Sequence, residues 1–155
     1  MNWLTFAVQW LHVLLGILWF GYSLSMFFLI TPPLRSLPEE TQRAVFRQLG
    51  TLGARVFPVV GILVLVLGFV RGTFLGPIKG LDAFGTAYGI TWLVALLATI
   101  GLFYTGARYL GPGFAALADA ADFSAAGERV RRVAGIDLVI FFVIFTCMIL
   151  MRFGQ

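Results

Sequence analysis

The stretch W-L-H-V-L-L-G-I-L-W-F-G, Trp10 to Gly21, is almost wholly apolar and carries one histidine. It lies inside an apolar run from about Phe6 to Ile30, which ends at Thr31-Pro32-Pro33. At roughly 20 residues per bilayer crossing, a run of this length predicts a transmembrane helix. Three further runs follow, at about Val56–Leu75, Thr86–Leu110 and Ile136–Met151. The first run lacks a basic leader and a small-residue cleavage site, so it is read as a retained span and not a signal peptide.

Composition supports this reading. The chain has 155 residues, of which 60% are hydrophobic and 12% charged, and its mean hydropathy is +0.96. Soluble domains carry about a quarter charged residues. The expected fold is one all-α domain, a four-transmembrane-helix bundle over residues 1–155. Cys147 is the only cysteine, which rules out an intrachain disulfide or a cysteine-based zinc site. The formal charge of +4 does not point to nucleic acid, because the basic residues sit in short loops between the spans. Arg35, Arg43, Arg47, Arg55, Arg108, Arg129, Arg131 and Arg132 fall on one side. Arg71, Lys79 and Arg152 fall on the other. The positive-inside rule then places both termini outside the cytoplasm, in a bacterial inner membrane.

The basic connections, about 37–55 and 123–135, read as amphipathic helices that anchor at the headgroups. Pro38, Glu39 and Glu40 suit a helix start that runs on into the second span. Ser124 is a capping candidate, with Glu128 one turn before Arg132. Asp137, at the inner end of the fourth span, is expected to pair with Arg55, Arg132 or another inner arginine. A faint repeat at an offset of 82 aligns Trp10, Leu11, Leu14, Leu15 and Tyr22 with Trp92, Leu93, Leu96, Leu97 and Tyr104. It describes two parallel halves, each a helix, a basic connection and a second helix.

His12 is the only histidine. An ionisable group within a span is a functional candidate. On a helix, His12, Gly16, Trp19, Ser23 and Met26 share one face. The small residues let a helix or a flat ligand come close. His12 lies about 9 Å along the axis from Phe6, at 1.5 Å per residue, in the outer half of the bilayer. The fourth span runs the opposite way, so Met148 is expected at a similar depth, with Arg71, Lys79 and Arg152 at the outer rim. A neutral imidazole ligates haem iron, and a methionine thioether serves opposite it. Rim cations would take the propionates. One histidine per chain excludes a bis-histidine haem unless two protomers share it. The competing structural readings are a histidine bonded to a backbone carbonyl, and glycines and aromatics that pack.

The pattern His12-x3-Gly16-x2-Trp19-x-Gly21 resembles the opening helix of CopD-like copper-resistance domains and HemJ-type protoporphyrinogen oxidases. The resemblance covers about a dozen residues. It implies haem or copper handling, with His12 at the ligand position. The chain departs from the HemJ pattern, which uses a lysine in a second transmembrane helix, because its only lysine, Lys79, falls in a loop. A CopD-like copper path would rest on His12 with Met26, Met148 and Met151.

Three functions are therefore expected. The first is a b-type haem protein for electron transfer or small-molecule redox chemistry or sensing. Its cofactor site would be His12, Gly16, Trp19, Met148 and Arg71, with iron on His12 and Met148, and its partner a quinol or a periplasmic redox protein. The second is a non-catalytic subunit or scaffold of a membrane complex, or a homodimer. The third is copper transport. Whether the chain is an enzyme is left open.

Overall fold

The computed structural model describes residues 2–153, and among them the regular structure is all helical. Four helices are long and apolar enough to cross a bilayer: α1 Trp3–Leu34, α2 Glu39–Gly72, α3 Ala87–Leu117 and α4 Phe123–Arg152. Large apolar side chains point outward along them, such as Trp10, Leu14 and Ile17 on α1 and Val139 and Phe142 on α4. From Trp3 to Leu24 no residue of α1 is fully buried. Such surfaces suit lipid tails and not water, and the chain reads as a multi-pass membrane protein.

The ends of the helices follow from local chemistry. Asn2 caps α1 by accepting from the Leu4 and Thr5 amides. In α2, Glu39 and Glu40 occupy the first turn, where the helix dipole favours acids. The helix then runs unbroken for 34 residues, about 50 Å at 1.5 Å per residue, so the amphipathic connection and the second span are one rod. The same holds for α4, which begins at Phe123. Its cap is Asp122, which accepts from the Ala125 amide at 2.9 Å, and Ser124 lies inside the first turn. The aspartate stands two residues earlier, in extended backbone, where a side chain can reach back to a free amide.

Two expected stops are not stops. Helix α1 continues through Pro32 and Pro33 to Leu34, and α3 continues through Pro112 to Leu117. In each, a π-helical segment precedes the proline, Ser25–Ile30 in α1 and Gly106–Leu110 in α3. The wider turn moves bonding to the fifth residue back, as in Thr31 N–H to the Met26 carbonyl and Gly111 N–H to the Gly106 carbonyl. The prolines then occupy the first positions of a new α segment, where a missing N–H costs little. Both halves of the chain therefore share one plan: a long helix, a π turn, a proline, a short turn and a second long helix.

Helix α3 packs most broadly on α4, α2 packs on both α1 and α3, and α1 and α4 touch over a short stretch. The arginine-rich end holds a small core of Met26, Phe46 and Leu117. At the opposite end, Lys79 donates to the carbonyls of Thr73 and Phe74 and closes the turn after α2.

Candidate functional site

The loose contact between α1 and α4 leaves a cavity of about 620 Å3 with walls from all four helices. This size is within the usual range for a small-molecule site. Its lining includes His12, Gly16, Trp19, Arg71 and Met148, which the structure brings to one space. Tyr88 and Trp92 of α3 and Met151 and Arg152 of α4 also face it.

Three glycines of α2 leave space for neighbouring rings, and two of them, Gly68 and Gly72, line the cavity. Gly61, Gly68 and Gly72 recur at helical spacing on one face. A Cβ on Gly61 would lie 3.2 Å from Trp19, and one on Gly68 would lie 2.9 Å from Cε1 of His12. A Cβ on Gly72 would collide with the indole nitrogen of Trp92. Glycine thus lets each ring approach the α2 backbone closely. Trp19 is also held edge-on by Phe141 of α4, with centroids 5.4 Å apart.

The His12 ring is fixed by one hydrogen bond. Nδ1 lies 3.1 Å from the Val64 carbonyl oxygen. A carbonyl only accepts, so Nδ1 carries the proton and donates. In the neutral ring the lone pair is then on Nε2. Nε2 has no protein partner among the described residues and is not buried. A ring nitrogen that donates to a backbone carbonyl while the other stays open is the arrangement that orients metal-binding histidines. The carbonyl contact, expected as an alternative to ligation, is here compatible with it.

The charge on the cavity wall is positive. Arg71 Nε donates to Gln9 Oε1 at 3.0 Å and its Nη1 to the Leu75 carbonyl at 3.2 Å. No carboxylate pairs with Arg71 or Arg152 among the described residues. Lys79, expected at the same rim, is instead engaged in the turn.

Other residues fall elsewhere. Ser23 and Met26 continue the His12 face in sequence but line a second pocket at the arginine-rich end. Tyr104 is exposed and sits edge-on to Tyr109. Cys147 is buried and off the cavity. Asp137 pairs with no arginine: its carboxylate meets the Thr105 hydroxyl at 2.7 Å, while Arg55 is exposed. Asp137 lies on the buried α3–α4 seam, so a short hydroxyl from α3 reaches it and the outward arginines do not. Glu128 pairs with Arg131 and Arg35, and not with Arg132. Met151, expected on a copper path, and Arg152, expected at the outer rim, both line the cavity. Trp92 joins them from α3.

No group of three or more His, Cys, Asp or Glu side chains that could hold a metal ion occurs among the described residues. Comparison of the chain with protein-family models, curated proteins and solved structures finds no match in any of the three.

Proposed function

We propose that this is an inner-membrane protein that binds b-type haem in the cavity, with both termini outside the cytoplasm. The observation that carries the proposal is the open Nε2 of His12, held by the Nδ1 bond to Val64 in a cavity with two arginines that have no carboxylate partner among the described residues. His12 would hold the iron through Nε2, with Met148, or His12 of a second copy, as a further ligand. Gly16, with open space above it, leaves room for a flat macrocycle, and Trp19 would flank it. Arg71 and Arg152 would neutralise the propionates, since guanidinium suits carboxylate geometry. The donor set fits, because a macrocycle brings most of its metal's ligands and needs only one or two from the protein.

Bound haem would supply one-electron transfer, which suits exchange with a quinol or a periplasmic partner. The chain's own residues orient the imidazole, exclude water with apolar walls and supply positive charge. The His12-Gly16-Trp19-Gly21 pattern, similar to CopD-like and HemJ-type first helices, agrees with this. Copper is the second reading, favoured by Met148 and Met151 lining the same cavity as His12. It is the weaker one, because Met26 lies in a different pocket and two guanidinium charges repel a cation.

The test is the visible spectrum and metal content of the purified full chain, wild type against His12→Ala, before and after adding hemin. A Soret band that is lost or shifted in His12→Ala is the expected result. Wild type that stays without bound haem after hemin addition overturns the proposal and favours a scaffold role. Stoichiometric copper without haem favours the second reading.

A further inference from the structure

The arginine-rich end contains a second pocket, separate from the histidine cavity. It has a volume of about 370 Å3 and is walled by the ends of all four helices. Its interior is apolar, with Met26, Phe46, Phe114 and Leu117 on the walls. Its mouth carries two guanidiniums from different parts of the chain, Arg35 after α1 and Arg131 on α4. One carboxylate holds both. Glu128 Oε1 accepts from Arg35 Nη2 at 2.9 Å, and Oε2 accepts from Arg131 Nε at 3.1 Å and Nη2 at 3.0 Å. Two cations against one anion leave a net positive charge. Nε and Nη1 of Arg35 and Nη1 of Arg131 have no partner among the described residues.

A salt bridge made only for stability would not need to border a hollow. These half-exposed pairs contribute little on their own account. Their arrangement fixes two long side chains at the rim of an apolar pocket, with donors to spare. The volume has room for about a dozen water-sized groups, too little for a whole lipid but enough for a headgroup and the first carbons of a chain. Arginine forks suit phosphate oxygens. Basic pockets between transmembrane helices suit anionic headgroups.

We infer that this pocket is a binding site for one anionic glycerophospholipid, whose phosphate lies against Arg35 and Arg131 and whose upper chain enters the Met26–Phe46–Leu117 wall. The inference is independent of what fills the histidine cavity. Bound lipid would bridge the segment after α1 to the start of α4, and so tie the two halves of the chain together at the end where they are joined by surface pairs.

The experiment is thermal melting of the full chain in detergent with added phosphatidylglycerol, phosphatidylcholine or inorganic phosphate. Phosphatidylglycerol should raise the melting temperature by roughly 5 °C at saturating lipid, and the other two should not. Arg35→Gln and Arg131→Gln should each remove most of that gain. Arg55→Gln, an exposed arginine of the same end that does not line the pocket, should keep it. Native mass spectrometry of the same variants reads retained lipid directly wherever a substitution disturbs the melt. Equal protection by phosphatidylcholine, an equal loss in Arg55→Gln, or full protection by inorganic phosphate would each overturn the inference. These outcomes mean an unselective chain site, diffuse attraction and a free-anion site, respectively.

Discussion

Replacing Gly68 with alanine separates the positioning of His12 from the stability of the fold. The new methyl would stand 2.9 Å from Cε1 of His12, whereas ordinary contact begins near 3.4 Å. The imidazole must therefore withdraw by about 0.5 Å, since the α2 backbone cannot move without disturbing two other ring contacts. Nδ1 starts 3.1 Å from the Val64 oxygen, and the same displacement takes it to about 3.6 Å, beyond a hydrogen bond. The lost bond costs about 1 kcal/mol. Alanine in place of glycine inside a helix returns about the same amount. Stability should thus be nearly unchanged. The orientation of His12 is not, and loss of such a supporting bond weakens metal binding by roughly 10–100-fold. The assay is hemin titration of the purified chain, followed in the Soret region, beside a thermal melt. Gly101→Ala is the control, because a methyl there meets nothing within 4 Å. If Gly68→Ala binds hemin as tightly as Gly101→Ala, the Val64 bond does not set the ligand geometry and the reasoning fails.

Three further outcomes are expected. Thr105→Val leaves the Asp137 carboxyl buried without its hydroxyl partner and should cost about 1–3 kcal/mol in unfolding free energy; Asp137→Leu added to it should recover most of the loss, and strictly additive costs would contradict this pairing. Gly72→Ala drives a methyl into the Trp92 indole and should destabilise by about 1–3 kcal/mol, with Trp92→Leu relieving it in the double variant's melting curve. A topology reporter fused after Gln155 should be active only outside the cytoplasm, and cytoplasmic activity would reverse the assigned orientation.

The four helices were legible because apolar runs of bilayer length dominate the chain, and the continuity of α2 followed from Glu39 and Glu40 at its start. The prolines misled. A proline after a long helix usually marks its end, but a π turn relocates the hydrogen bonds and lets the helix pass, and no residue pattern in Ser25–Ile30 announces it. The capping role of Asp122 over Ser124 depends on backbone angles, not residue type. For the cavity, His12, Gly16 and Trp19 were readable as one face of α1, while their meeting with Arg71 and Met148 rested on topology and depth. What was not readable is the partner of each ring. Only the packed structure shows that Gly68 carries His12 and that Val64 fixes its tautomer.

The main helix pairings join neighbours in sequence, α3 with α4 most broadly, then α2 with α3 and α1 with α2. Contacts of this local kind form early, because little chain must be closed to make them. Each hairpin can therefore zip as it enters the bilayer, before the other exists. The histidine cavity belongs to neither hairpin alone: His12 and Gly68 come from the first, and Met148, Trp92 and Arg152 from the second. It comes into being only when the two hairpins dock through α2 and α3. Any molecule that fills it binds the docked state and not the separated hairpins, so by mass action it acts as the clasp of the assembly. Loading and maturation would then be one event, and a chain left without its ligand would be the form in which the two hairpins come apart most readily.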